Sequence, residues 1–160
     1  MTEVSIDLDL AVDARGLPAE REFRQWVAAA IGERRPVAEV SLRIVASQEM
    51  RELNRTWRGI DKPTNVLAFP ADVAPEVGLP LIGDVVLCRD VVLDEADAQH
   101  KPASAHWAHL TVHGTLHLLG YDHGNAEEAE AMEAIERHVL GELGYPDPYA
   151  SDSVGVIDRE

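Results

Sequence analysis

Residues 105–123 read AHWAHLTVHGTLHLLGYDH, and this stretch decides how the rest of the chain is read. Ala105 to Leu119 is largely apolar. Ser104 ahead of it offers a helix N-cap and Gly120 behind it a left-handed exit, so the stretch predicts a buried helix that forms the spine of the domain. His113 and His117 stand one helical turn apart on the same face, so their rings can converge on one ion. Gly120 then lets the backbone leave the helix and return His123 to the same point. Three protein ligands leave one tetrahedral position open, the arrangement of catalytic rather than structural zinc, and three imidazoles favour zinc over magnesium. Two histidines at this spacing arise readily by chance on a buried helix. A third after a glycine break is more telling, because several neutral imidazoles gathered on a buried helix are costly to desolvate unless one ion satisfies them together.

The same three-histidine spacing occurs in the metzincin proteases, where a glutamate follows the first histidine. Here that position is Gly114, so the general base of peptide hydrolysis is missing and a metalloprotease mechanism is disfavoured. Tyr121 and Asp122 are nearby candidates for hydrogen bonding or proton transfer, although Asp122 could equally cap the turn. His106 and His109 continue the histidine stripe toward the helix start, where packing or a hydrogen bond is a better reading than ligation.

Working outward, Val4 to Leu10 and Ala38 to Ile44 alternate apolar and polar residues as half-buried strands do. Phe23, Trp26, Val27, Ala30 and Ile31 recur at helical spacing between Pro18 and Gly32. Ser47 can cap a helix that turns Met50, Leu53 and Trp57 inward. Val66 to Phe69 and Leu81 to Cys88 read as strands, with a bulge or close backbone approach expected at Gly83. Asp90 to Gln99 reads as a helix. Asn125 and Glu128 resemble a capping box before a last helix that buries Met132, Ile135 and Val139 and stops near Gly144. The expected fold is α+β: a single domain with a four-stranded mixed sheet against about five helices, and the metal site on a buried helix and the turn that follows it. The domain is expected over residues 1–147, and residues 148–160 as an acidic, poorly ordered tail.

The 160 residues suffice for one sizeable core. A single cysteine, Cys88, excludes an intrachain disulfide framework and fits a reducing compartment. No apolar run is long enough to span a bilayer, and Met1 to Asp13 lacks the pattern of a signal peptide, so a cytoplasmic protein without a membrane partner is expected. Lys and Arg total 14 against 29 for Asp and Glu, a formal charge of −15. That is the opposite of a generic nucleic-acid binder, although a catalytic cleft needs only a local positive cluster. Arg51, Arg55 and Arg58 supply one at helical spacing. A solvated face explains the first two. Arg58 ends its helix beside Gly59, where a guanidinium can reach bidentately toward a phosphoryl group.

Taken together, the string from His109 to His123, Leu53-Asn54 leading to Trp57-Arg58-Gly59, Pro63 to Pro70, and Gly83-Asp84-Val85 resemble the YbeY family of bacterial ribosomal-RNA maturation endoribonucleases. The resemblance implies one Zn2+ held by His113, His117 and His123, with Arg58 and these histidines as the catalytic set. It also implies cleavage of single-stranded RNA in the maturation of the 16S rRNA 3′ end and in ribosome quality control, with ribosomal particles or ribosomal proteins as partners. Asn65 stands where the family commonly has Asp, and Ala68 where it commonly has Ser. Two other readings are a metal-dependent hydrolase of an amide or small phosphoester, and a ribosome-assembly factor with structural zinc, which the acidity suits slightly better.

Overall fold

The computed structural model describes residues 3–71, 80–122 and 124–149. It contains β1 (Glu3–Leu10), α1 (Glu20–Ile31), β2 (Val37–Val45), α2 (Ser47–Arg58), β3 (Val66–Pro70), β4 (Leu81–Cys88), α3 (Arg89–Ala98), α4 (Ala103–Leu118) and α5 (Ala126–Glu142). The four strands form one sheet in the order β1-β2-β4-β3. β1, β2 and β4 run parallel and β3 pairs antiparallel on the edge, which makes the sheet mixed and the domain α+β, as expected.

Strand β4 carries apolar side chains on both faces at its C-terminal end, and the sheet is accordingly covered on both sides. Val85 and Leu87 face the main core with Val40, Leu42 and Ile44 of β2, beneath α1, α4 and α5. Val86 and Cys88 face a smaller core with Val45, Leu67 and Met50, beneath α2. Ile82 and Val85 share the main-core face although an odd number of positions separates them. The bulge expected at Gly83 accounts for this: the register slips between Glu39 and Val40, where Gly83 stands opposite Val40. The glycine has φ +149°, and a Cβ there would come within 2.5 Å of the Phe69 carbonyl oxygen, so no other residue fits. Phe23 meets Trp26 and Trp107 edge-to-face at centroid distances of 5.5 and 5.9 Å, pinning α1 to α4. Each such pair adds about 0.5–1.5 kcal/mol beyond its burial.

Three local expectations are corrected. Helix α4 begins at Ala103, with Pro102 as its N-cap, and Ser104 lies inside the first turn without capping it. Proline has a backbone angle already suited to a helix start, and its carbonyl accepts from Ala105 and His106. Likewise Ala46, not Ser47, is the N-cap of α2, and the Ser47 hydroxyl donates to Asp90 (3.1 Å), tying α2 to the start of α3. Trp57, expected inward, is 65% exposed and lies edge-on to Phe69 at 5.7 Å. The inward position in that turn belongs to Asn54, whose amide donates to the Lys62 carbonyl (2.8 Å) and shapes the loop after the helix. Cα geometry at the ends of α4 and α5 follows the sequence: Gly120 and Gly144 both adopt positive φ.

Candidate metal centre

Helix α4 is buried along nearly its whole length because α1, α3, α5 and the sheet all pack on it. Its approach to the sheet is close at Gly114, where a Cβ would sit 2.8 Å from a methyl of Val85 and 3.3 Å from Val66. The position where a metzincin carries its glutamate is therefore the one pressed against the sheet. With that side fixed, His106, His109, His113 and His117, spaced by three and four residues, project from α4 toward α3, α5 and solvent. His113 is 7% exposed and His117 is half-buried.

The rings of His113 and His117 lie 4.7 Å apart, with their Nε2 atoms separated by 3.2 Å. Two nitrogens at zinc-bonding distance in a tetrahedral site would be about 3.3 Å apart, so the pair has the separation that one ion requires. The other side of His113 is held by Glu136 of α5, whose Oε2 lies 2.6 Å from Nδ1. An ionised carboxylate only accepts hydrogen bonds, so His113 donates from Nδ1 and its Nε2 is left with a lone pair directed at His117. The second oxygen of Glu136 faces Nε2 of His109 at 3.0 Å and accepts from the Tyr149 hydroxyl, which itself lies 3.2 Å from His109.

Glu136 has no solvent exposure. Burial pushes its carboxyl up, but the hydrogen bonds and proximity of His109 and His113 outweigh this and hold it well below the usual carboxylate range. Burial likewise pushes the His109 imidazole down, and the bond to Glu136 only partly offsets it. The network thus sets a carboxylate among two imidazoles and a phenol hydroxyl. A second carboxylate, Glu95 of α3, accepts from Asn65 (3.0 Å) and pairs with Nε2 of His106 (2.8 Å), fastening the start of β3 to α4. Asn65 therefore has a polar role, and its amide suits a carboxylate partner.

His123 lies outside the described residues. Arg58 ends α2, which packs on the face of the sheet opposite α4; Gly59 closes the helix with a left-handed turn. Arg51 is committed to Asp61 through two hydrogen bonds of 2.8 and 3.1 Å, and Arg55 is exposed. The Tyr121 hydroxyl accepts from Arg34 (3.1 Å), a tie between α1's end and the turn after α4. Residues 150–160 of the expected tail are outside the described residues, but Tyr149 is half-buried against His109, with the Arg137 guanidinium over its ring. Sequence reasoning missed Glu136, Glu95 and Tyr149. For Glu136 a signal existed: it shares the helical stripe of Met132, Val139 and Leu140, where a charge is unexpected.

A family model described as endoribonuclease YbeY matches residues 13–144. Among solved structures, the solution structure of TM1509 from Thermotoga maritima is 26% identical and covers 87% of this chain and 91% of its own, with a TM-score of 0.58.

Proposed function

The chain belongs to the YbeY endoribonuclease family, and on that premise we propose that it cleaves single-stranded ribosomal RNA with the help of one zinc ion held by His113, His117 and His123. The observation that carries the metal reading is the 3.2 Å separation of the two Nε2 atoms on a buried helix, one of them oriented from behind by a carboxylate. His123 joins them on the strength of its place after the Gly120 turn. Bound zinc would supply Lewis-acid polarisation of a phosphoryl oxygen and lower the pKa of a water.

The protein's own residues supply the rest. His113 and His117 hold their Nε2 atoms side by side on one rigid helix, so little movement of the backbone accompanies ligand binding. The planar guanidinium of Arg58 suits two oxygens of a phosphate, and the part we assign it is to neutralise charge that develops on the phosphodiester. Gly114 follows His113 where a metzincin carries its glutamate, so the peptide-hydrolysis base is missing at that position. The family match supports an endoribonuclease role in rRNA processing; the substrate we propose is precursor 16S rRNA near its 3′ end, with a part in ribosome quality control and with ribosomal particles or proteins as partners. No described helix is long and apolar enough to cross a membrane, and we place the activity in the cytoplasm.

The test is metal content by elemental analysis, together with cleavage of a single-stranded RNA by wild-type protein and His117→Ala purified identically. Near-stoichiometric zinc in the wild type, with zinc and cleavage lost together in the variant, is the expected result. Equal cleavage by both proteins would sink the metallonuclease reading and leave that of an assembly factor, which the net charge of −15 favours through docking on basic ribosomal proteins.

A further inference from the structure

The α5 helix has no reason in helix physics to bury an ionised glutamate among Met132, Val139 and Leu140, and a charge so placed is destabilising unless its partners are in position. Both carboxylate oxygens of Glu136 are used, one by His113 and the other by His109 and Tyr149. A well-packed apolar residue would serve the fold at least as well, so the carboxylate answers to something other than packing.

We propose that Glu136 is the positioning residue of the metal centre: it fixes the Nδ1–H tautomer and ring angle of His113, and His109 with Tyr149 clamp it in place from behind. The inference rests on the zinc reading above and extends it to residues that do not touch the ion. The geometry supplies the reason. Without an acceptor at Nδ1, His113 can carry its proton on Nε2 instead, and the lone pair aimed at His117 is lost. With the Glu136 carboxylate as acceptor, the proton is drawn to Nδ1 and the ring is held at 2.6 Å on the side away from the site. Tyr149 comes from beyond α5, so the last described turn of the chain closes over the back of the network; its backbone is anchored in turn by Asp147 (2.8 Å).

The experiment measures zinc affinity by competition with a chromophoric chelator for wild type, Glu136→Gln, Tyr149→Phe and His117→Ala, alongside long-range proton–nitrogen NMR spectra of the metal-free proteins. Glutamine keeps the shape but offers one acceptor where the carboxylate offers two. Zinc affinity should fall roughly 10- to 100-fold in Glu136→Gln, as it does when such outer carboxylates are removed elsewhere. The fall should be smaller in Tyr149→Phe, which keeps the carboxylate. The NMR spectra should show His113 protonated at Nδ1 in the wild type and shifted toward Nε2 in Glu136→Gln, a change that loss of packing alone would not produce. If His117→Ala loses zinc while Glu136→Gln and Tyr149→Phe both bind as the wild type does, the positioning role is refuted and the metal site stands. If zinc binds no better to wild type than to His117→Ala, both readings fall. Should Glu136→Gln not fold, Tyr149→Phe decides: unchanged affinity and an unchanged His113 tautomer overturn the proposal.

Discussion

Replacing Gly114 with alanine sets two well-known effects against each other. In an exposed helix the change is stabilising by about 1 kcal/mol, because glycine loses more backbone entropy on folding. At this position the added methyl would lie 2.8 Å from Cγ1 of Val85 and 3.3 Å from Cγ2 of both Val66 and Val85. Real Cβ atoms essentially never approach so closely. Valine has few rotamers to retreat into, and both valines sit in strands of the sheet, one of them in the central β4. Helix α4 must therefore lift or the sheet must bend, and overpacking of this kind costs about 1–3 kcal/mol. Subtracting the propensity gain from the upper half of that range leaves a net loss of about 1–2 kcal/mol, or roughly 2–8 °C in Tm for a domain of this size. Gly141 in α5 is the control, since a Cβ there meets nothing within 4 Å; Gly141→Ala should raise stability by about 0.5–1 kcal/mol. Urea and thermal unfolding of the two variants read the signs directly. If Gly114→Ala is as stabilising as Gly141→Ala, helix and sheet are not in the contact described, and the steric account of the missing glutamate is wrong.

Gly83→Ala should be more damaging, because its Cβ would meet the Phe69 carbonyl oxygen at 2.5 Å and Pro70 Cα at 2.9 Å, and backbone cannot rotate away. Adding strain at φ +149° gives a cost of about 3 kcal/mol or more; a loss below about 1 kcal/mol by urea unfolding would contradict the bulge geometry. Burial holds the His106 imidazole below its ordinary value, against the opposing pull of its bond to Glu95. As pH falls through about 6.5 the unfolded chain takes up a proton that the native protein resists, so the stability present above that pH is lost below it. His106→Gln, which can still bond Glu95, should lose less stability than wild type between about pH 7.5 and about pH 5.5, and equal losses in the two proteins would count against a buried neutral His106.

The spine helix, the strand alternation and the glycine bulge were legible because each rests on a local pattern that burial enforces: period, breaker and cap. The mixed sheet and five helices followed from element order. What stayed hidden depended on partners distant in sequence. Glu136 sits in a helix that also carries Glu127, Glu128, Glu130, Glu133 and Glu142, so one more acid resembles its solvated neighbours until its place beside Met132 and Val139 is noticed. Gly114 could be read as an absent base, but the valines that forbid a side chain there belong to strands well upstream. Asn65 stood out only as a departure from the common Asp, because nothing local shows that Glu95 accepts from its amide. Trp57 obeyed the helical period that predicts an inward residue, yet the helix at that turn packs through Asn54. The convergence of His113 and His117 was readable from spacing alone, whereas the tautomer that makes their facing nitrogens useful needed the carboxylate from α5.

That carboxylate comes late in the chain. A domain generally folds as a unit, and here all four strands and the entire histidine helix are made before α5 has begun. A nascent chain ending at Leu119 would carry its row of imidazoles without the carboxylate that meets His109 and His113, and one flank of the row would face water. Only when α5 docks does His113 acquire its carboxylate partner. Order of manufacture thus doubles as a safeguard: a chain truncated before Glu136 would hold the histidine row without the side chain that meets His113 from behind.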